Sequence, residues 1–293
     1  MNAFKSLCCA LACLVAGNFA SGCALLRKGA ARVISPVASQ LSEGLMHQND
    51  VELVREGAPS FLLMLDALAA AHPDNPAVLV AAADAQMAYA TGFVDKTNKE
   101  RAKAMYFKAK TYGQRALSKN KRFARALDSV DPDEFVRSLR GFGEKDAEAL
   151  FTTALAWVMW SISSSDSPAA LGEMSRALAL MERVQKLAPD IRQGGVDQFY
   201  GIYYTVLPLG GGRDLEKARA HFERSMEIAG PDYLLNRVTF AEFYARYAFD
   251  PELFESTLKQ VLEADPHVPE FTLMNAVAQM RAQSLLGQMD DLF

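Results

Sequence analysis

Apolar residues recur along most of this chain at the spacing of an amphipathic helix, i, i+3, i+4 and i+7, with proline or glycine between the runs. No segment shows the sustained apolar–polar alternation with β-branched residues that is typical of strands. The pattern therefore predicts an all-α protein. The predicted helices are 51–72, 76–92, 99–118, 132–139, 145–162, 168–187, 197–207, 214–229, 232–248, 251–264 and 270–287, with longer linkers at 119–131 and 140–144.

One spacing recurs within these helices: an apolar residue, a second four positions on, a third three later, and proline or glycine five beyond that. A small residue that lets two helices approach, with an aromatic one that fills the gap, is typical of the second helix of a tetratricopeptide (TPR) repeat. The instances are Phe61-Leu65-Leu68-Pro73, Ala102-Tyr106-Ala109 without the proline, Ala177-Met181-Val184-Pro189, Ala218-Phe222-Ser225-Gly230 and Phe254-Leu258-Val261-Pro266. We therefore predict a TPR-like solenoid of helical pairs with degenerate repeats, in a single domain over residues 49–293.

The first 22 residues have the features of a secretory signal peptide. One basic residue precedes a short apolar run from 7 to 15, and small residues follow at 20–22. Cys23 comes directly after them, an arrangement that resembles a bacterial lipobox. That resemblance implies cleavage before Cys23 and lipid attachment to its sulfur, with residues 23–48 as a lipidated tether. The alternative is a simple secreted protein in which Cys23 is incidental.

Cysteine and histidine usage limits the chemistry of the predicted helical body. All four cysteines lie in the first 23 residues, which excludes a disulfide scaffold, a thiolate metal site and a cysteine nucleophile from the body. The four histidines are scattered without the spacing of metal ligands, and we expect each at the surface or in a loop. No nucleophile elbow or P-loop motif is present. We therefore expect no catalytic residues, no metal and no cofactor, and we disfavour an enzyme.

A tryptophan pair is the first candidate for ligand contact. Trp157 and Trp160 share one helical face of residues 149–165, which carry no charge. The segment is too short and too polar to span a membrane, so a helix buried on most sides is the simplest interpretation. The alternative is that it lines an interior cavity, where an indole offers a large apolar face and one N–H donor.

A tyrosine stripe is the second candidate. Twelve aromatic residues lie between Phe199 and Phe254, and most of them should form core between helices. Tyr200, Tyr203 and Tyr204, however, cannot all point at one neighbouring helix. We therefore expect this hydroxyl-bearing stripe to be a candidate ligand surface on a concave wall.

The charge distribution is uneven in a chain whose formal net charge is −4. Eleven basic residues and one acidic residue lie between positions 96 and 125. Such a cluster in an acidic protein favours contact with an anionic lipid surface or an acidic protein, although a solvated helix face is the simpler interpretation. Nucleic acid is the wrong partner for an exported protein. The residues of this candidate partner or membrane surface are Arg101, Lys108, Arg115, Lys119 and Arg122.

Several short stretches together resemble one known family. In the C-terminal third they are Gly201-Ile202-Tyr203-Tyr204, Leu207-Pro208, Gly211-Gly212, Leu215-Glu216-Lys217-Ala218, His221-Phe222-Glu223-Arg224, Ala241-Glu242-Phe243-Tyr244, Leu253-Phe254, Asn275-Ala276-Val277-Ala278, Arg281-Ala282 and Asp290-Asp291-Leu292-Phe293. Upstream they are Phe61-Leu62-Leu63-Met64-Leu65-Asp66, His72-Pro73-Asp74-Asn75-Pro76 and Ala156-Trp157. Their order, together with the lipobox, resembles the T component (TatT family) of tripartite ATP-independent periplasmic (TRAP) transporters.

The resemblance implies a lipid-anchored, all-helical protein that assembles as a homotrimer and associates with a periplasmic substrate-binding (P) subunit. It also implies an apolar pore or cavity in each protomer that passes or holds ligand, and we add Asn275 to the candidate ligand contacts. Neutral residues after Cys23 favour, by analogy, anchoring in the outer rather than the inner membrane, and we expect the protein in the bacterial periplasm. We therefore expect a non-enzymatic accessory protein of solute uptake. The alternative is a TPR-like envelope scaffold or assembly lipoprotein that binds a protein partner.

Overall fold

Capping side chains begin many of the helices where the sequence pattern predicts a start. Asn75 and Asp131 each precede a proline and accept hydrogen bonds from backbone N–H groups of the first turn, at 3.1 Å to Ala77 and 2.9 Å to Asp133. Asp50, Asn98, Asp214 and Asp250 cap other helices in the same way. Each cap satisfies donors that the helix itself leaves unpaired and stabilises its helix by about 1 kcal/mol.

The computed structural model describes residues 44, 46–164, 166–207 and 210–293. The signal peptide, Cys23 and nearly all of the tether at 23–48 lie outside these residues. The described helices are α1 Val51–Ala71, α2 Pro76–Tyr89, α3 Lys99–Leu117, α4 Lys121–Leu127, α5 Pro132–Leu139, α6 Ala147–Ser163, α7 Pro168–Gly172, α8 Met174–Leu187, α9 Ile191–Val206, α10 Leu215–Ala229, α11 Leu235–Thr239, α12 Pro251–Glu263, α13 Thr272–Leu286 and α14 Met289–Leu292. The prediction of an all-α protein is confirmed, since the described residues contain no strand.

Two predicted segments differ from the structure. The predicted linker 119–131 contains α4, whose start is capped by Asn120 and whose Phe123 is fully buried. Basic residues surround Phe123 in this segment, so the hydrophobic pattern does not reveal the short apolar face of α4. The predicted helix 168–187 is divided into α7 and α8, with Glu173 between them.

Two π-helical segments continue α-helices that the pattern predicts as uninterrupted. Ala90–Val94 follows α2 and Phe240–Ala245 follows α11. The wider turn is visible in the hydrogen bond from Asp95 N–H to the Ala90 carbonyl, five residues back, at 2.9 Å. Such a segment rotates all later side chains around the helix axis, which a regular 3.6-residue period does not anticipate.

The residues that define the recurrent spacing lie at the contacts between helices. Ala177, Met181 and Val184 on α8 are fully buried, as are the corresponding residues of α12, and Leu65 on α1 is 2% exposed. Helices pack in chain order: α2 against α1 and α3, α3 against α6, α6 against α8, α9 against α10, and α12 against α13. The helices α4 and α5 pack on each other between α3 and α6 in sequence.

The last long helix of the described unit contacts the first one. Helix α13 contacts α1, and the Asn49 amide nitrogen lies 3.4 Å from Nε2 of His267. The Lys96 ammonium, just after the first π segment, lies 3.7 Å from the Glu242 carboxylate in the second. Residues 46–293 form one compact unit. The TPR-like solenoid stays a prediction, because packing in chain order is also compatible with other helical arrays.

One helix of the described residues, Pro76–Val94, has the length and apolar content that a membrane span requires. It consists of α2 and its π extension, and it packs between α1 and α3. It also carries Asp84, which is paired with an arginine of α9. These contacts place the helix in the core of the described unit.

Candidate functional site

The tyrosine stripe lies on α9, and the first turn of that helix has an unusual backbone. Arg192, Gln193 and Gly194 all have left-handed dihedral angles, with φ of 50°, 53° and 75°. Only glycine adopts this conformation without steric cost, which is about 1–2 kcal/mol for each of the other two residues. A Cβ on Gly194 would lie 2.9 Å from the backbone of Ser225, so this turn also permits close approach of α10.

The Arg192 side chain holds this turn against the N-terminal helices. Its guanidinium donates two hydrogen bonds to Asp84 on α2, at 2.9 and 2.8 Å, and one to Glu148 on α6, at 2.8 Å. Thr152 also donates to Asp84, at 2.6 Å. Burial disfavours the charge, but the two carboxylates outweigh it, and the pKa of Arg192 is raised. The paired charges offset the strain of the turn and fix the position at which α9 begins.

Helices α9 and α10 approach closely at Gly201. A Cβ at this position would lie 2.9 Å from the ring of Phe222, so a larger residue would push the two helices apart. The close approach brings His221, the neighbour of Phe222, beside the tyrosines of α9. The ring of His221 stacks on Tyr200 and Tyr204, with centroids 5.4 and 5.7 Å apart.

These three rings form one wall of a pocket of about 310 Å³. Glu182, Gln185 and Lys186 of α8 also line this pocket. The volume lies at the lower end of the range for small-molecule sites. Stacked rings together with charged and amide side chains can hold a small molecule that has both an apolar surface and polar groups.

Asp197 orients the histidine of this wall. Its carboxylate lies 2.7 Å from Nδ1 of His221, and the residue is only 7% exposed. With Nδ1 engaged, Nε2 is the ring nitrogen that remains to meet a ligand. Burial, with the Glu182 carboxylate nearby, raises the pKa of Tyr200, so its phenol is a neutral hydrogen-bonding group at neutral pH.

The other predicted ligand residues of this region lie elsewhere. Tyr203 stacks on Phe199, with centroids 6.3 Å apart, and it does not line the pocket. Asn275 is fully buried, accepts a hydrogen bond from Leu234 N–H at 3.0 Å and donates one to the Asp232 carbonyl at 2.8 Å. Its amide therefore holds the turn before α11, and we withdraw it from the candidate ligand contacts.

The two tryptophans belong to a second, closed cluster. Trp157 is 1% exposed and donates its indole N–H to Glu173 at 2.8 Å. The same carboxylate oxygen accepts from the Lys110 ammonium at 2.5 Å, and that ammonium lies 3.5 Å from the ring centroid of Trp160. Burial lowers the pKa of Lys110, and Glu173 opposes the shift. A lysine of the chain thus occupies the space between the rings that the sequence suggested for a ligand.

The predicted basic surface is partly neutralised by α1 and by the turn that follows α1. Lys108 pairs with Asp66 of α1, and Lys119 lies 3.8 Å from the Asp74 carboxylate. Arg115 donates to the Pro73 carbonyl at 3.2 Å.

The remaining two members of that surface lie apart. The guanidinium of Arg101 lies 5.9 Å from the ring centroid of Tyr89, and Arg122 lies in the first turn of α4. The clustered basic residues therefore contact neighbouring segments of the chain as well as solvent. As a partner or membrane surface it stays a prediction.

Sequence reasoning missed His221, Asp197 and Glu182. The expectation that each histidine lies at the surface or in a loop does not anticipate that the partly exposed ring of His221, 25% exposed, is stacked in the wall. A signal was present, because Asp197, Tyr200 and Tyr204 recur at helical spacing on one face of α9. The partner on α10 depends on a contact between helices, which that spacing does not specify.

Within the described residues, no group of three or more histidine, cysteine or acidic side chains could hold a metal ion. Fold and site together define the class: an all-α protein with an accessible pocket that is lined by aromatic and polar side chains. The TRAP transporter T-component family matches residues 47–293, and the chain belongs to that family. A relative is an uncharacterized protein of Treponema pallidum (strain Nichols), 23% identical over 265 residues, which cover 84% of this chain and 81% of the relative.

Membership in this family has three direct consequences. The chain is an accessory component of a TRAP transporter, and it associates with such a system. The family consists of transporter components and is not known for enzymes. Members of the family belong to the bacterial envelope.

Proposed function

We propose that this protein is a lipid-anchored periplasmic T component that binds a substrate-binding P subunit and holds a small, partly apolar ligand. The pocket between α8, α9 and α10 carries the ligand part of the proposal. Its wall of Tyr200, Tyr204 and His221 offers stacking surface, and Glu182 and Lys186, which also line it, offer polar contacts. No covalent step is required, since capture and release need only reversible contacts.

The sequence and the family support the proposed location and assembly. Cys23 carries the lipid in this proposal, and residues 23–48 tether the helical unit to the periplasmic face of the outer membrane. The helical pairs form a TPR-like array, and three copies assemble as a homotrimer. Support comes from the signal-peptide features, from the burial of the residues that define the recurrent apolar spacing, and from membership in the T-component family.

The experiment for the partner uses the full-length protein in native membranes. Cross-linking followed by mass spectrometry should recover the P subunit of the same TRAP system in a complex with this chain. Recovery of the chain alone, under conditions that cross-link a known envelope complex, would contradict the proposal.

The experiment for the anchor uses Cys23→Ser. This variant should incorporate no lipid label and should appear in the soluble periplasmic fraction, while the wild type is labelled and sediments with membranes. Persistence of the label in the variant would exclude Cys23 as the lipidation site.

A further inference from the structure

Aromatic and arginine side chains form a surface at the C-terminal end of the helix that starts as α11 and continues through the second π segment. Tyr247 is 39% exposed and Phe249 is 68% exposed. The guanidinium groups of Arg213 and Arg246 lie 5.4 and 5.9 Å from the ring centroid of Tyr247. We call these four residues the Arg–Tyr surface. It lies outside the lining of the pocket described above.

Phe249 occupies a backbone position that favours glycine. Its φ is 56°, in the left-handed region. Phe249 N–H donates to the Arg246 carbonyl at 3.1 Å, and Asp250 N–H donates to the Ala245 carbonyl at 2.9 Å. This pair of bonds is the Schellman motif that ends a helix, with Phe249 at the position where glycine avoids a steric cost.

The phenyl group of Phe249 makes few contacts within the chain that could offset this steric cost. Its ring centroid lies 5.7 Å from that of Phe293, but about two thirds of the residue stays exposed to solvent. Phe293 already packs on the fully buried Phe254, with centroids 5.2 Å apart. A strained backbone beneath an exposed aromatic side chain indicates that the side chain contacts something outside this chain.

The two arginines give the surface its charge. Arg213 donates through Nε to the Leu207 carbonyl at 2.8 Å, and within the described part of the chain neither guanidinium forms an ion pair with a carboxylate. The basic residues of the predicted partner or membrane surface differ, because Lys108 and Lys119 face Asp66 and Asp74. A guanidinium stacked on a ring keeps its N–H edge available for two hydrogen bonds to a carboxylate.

We propose that the Arg–Tyr surface is the docking site for an acidic face of the substrate-binding subunit. The proposal rests on the proposed function and deepens it by naming the contact. Carboxylates of the partner pair with Arg213 and Arg246, and an apolar recess of the partner receives the phenyl group of Phe249. Arginine and tyrosine around a central aromatic side chain are the residues that contribute most at protein interfaces.

A protein fits this surface better than a lipid bilayer does. Phe249 is the single ring of the four residues that is mostly exposed, whereas interfacial membrane binding needs a broad apolar face. Guanidinium groups that lie beside an exposed ring, without an ion pair in the described part of the chain, suit the directed carboxylates of a protein partner.

The test measures binding of the full-length protein in detergent to the recombinant substrate-binding subunit of its own TRAP system, by surface plasmon resonance at low and high salt. Phe249→Gly should weaken binding about tenfold or more and, because the backbone strain is relieved, raise the melting temperature by about 2–4 °C. Arg246→Glu should weaken binding by a similar factor at low salt, with a smaller effect at high salt.

Matched controls come from α3 and from the end of α5. Phe107 is 50% exposed on α3, so Phe107→Ala removes a comparable ring, and Arg140→Glu makes the same charge reversal at an exposed arginine directly after α5. Both controls should leave the dissociation constant within about twofold of the wild type. Equal binding by the wild type, Phe249→Gly and Arg246→Glu would overturn the docking site and leave the proposed function intact.

Two other outcomes are informative. If the wild type does not bind the subunit at all, the proposed function fails and the docking site fails with it. If Phe249→Gly binds the subunit normally but loses co-sedimentation with vesicles of phosphatidylethanolamine and phosphatidylglycerol, the surface contacts lipid and the proposal is wrong.

Discussion

Two aromatic clusters of similar composition lie in one apolar core, to which α8 also contributes, and they differ in what faces their rings. In the first, Trp157 and Trp160 surround the ammonium of Lys110, which pairs with Glu173. In the second, Tyr200 and Tyr204 stack with His221 beside a pocket of about 310 Å³. A cation of the chain lies 3.5 Å from the Trp160 ring centroid in the first cluster, whereas in the second the nearest one, Lys217, lies 5.6 Å from that of Tyr204 and the pocket stays open.

The difference shows why aromatic content alone does not locate a ligand site. In the tryptophan cluster, the indole N–H of Trp157 and the charge of Lys110 are both satisfied by Glu173. In the tyrosine cluster, Asp197 satisfies one nitrogen of His221, and the other groups face the pocket. The closed cluster should therefore determine stability, and the open one should determine binding.

The largest expected effect comes from Trp157→Ala. The side chain is 1% exposed and packs edge-to-face on Phe135. Its loss should lower the free energy of unfolding by about 3–5 kcal/mol. Denaturant titration followed by circular dichroism measures this, with the partly exposed Trp160→Ala as a control that should lose about 1–2 kcal/mol. Equal losses in the two variants would contradict the assignment of Trp157 to the closed core.

A second test concerns alkaline pH. Burial raises the pKa of Tyr106, which is fully buried on α3, from 10.0 to about 12. Between these values the unfolded chain loses the phenolic proton and the folded chain keeps it, so stability falls as the pH rises. The contribution is about 2–3 kcal/mol at most. Tyr106→Phe should lose less stability than the wild type over this pH window, and identical pH profiles would exclude this cause.

The next effect concerns binding rather than folding. Tyr204→Ala removes one ring from the open wall and should weaken the binding of anilinonaphthalene sulfonate, an apolar reporter dye, about tenfold. The melting temperature should change little, because Tyr204 is partly exposed. Fluorescence titration measures the affinity. Unchanged dye binding together with a large loss of stability would contradict the assignment of binding to the tyrosine cluster and of stability to the tryptophan cluster.

The smallest effect is expected for Lys110→Met. An apolar side chain of similar length can fill the space between the rings, while Glu173, whose side chain is 36% exposed, can be hydrated. Removing one partner of a fully buried ion pair usually costs several kcal/mol. Here the carboxylate that remains can be hydrated and still accepts from the Trp157 indole, so stability should change by less than about 1 kcal/mol. A loss of several kcal/mol, or new dye binding at this site, would contradict a closed cluster that is held mainly by packing.

The sequence predicts the helical part of this molecule well. Polar caps before proline, as at Asn75 and Asp131, and apolar residues at helical spacing specify where helices begin and which face is buried. These signals are local. They miss α4 because its apolar face is only Phe123 and Ala126, and they miss the π segments because a single wider turn does not change composition.

The site is predicted less completely, because it depends on contacts between helices. The sequence suggests Tyr200 and Tyr204, but it treats His221 as a surface residue and assigns both tryptophans to the same role as the tyrosines. Whether a ring faces a cavity or a lysine of its own chain depends on which helix packs beside it. The left-handed turn at Arg192 is equally hidden, since two of its three residues are not glycine.

Native mass spectrometry tests the central claim most directly. The full-length protein, purified gently from its own membranes, should carry a small non-protein mass that Trp160→Ala retains and Tyr204→Ala loses. That result would place the ligand in the open tyrosine pocket. Retention of the same mass by Tyr204→Ala, together with its loss from Trp160→Ala, would contradict the account and place the ligand in the tryptophan cluster.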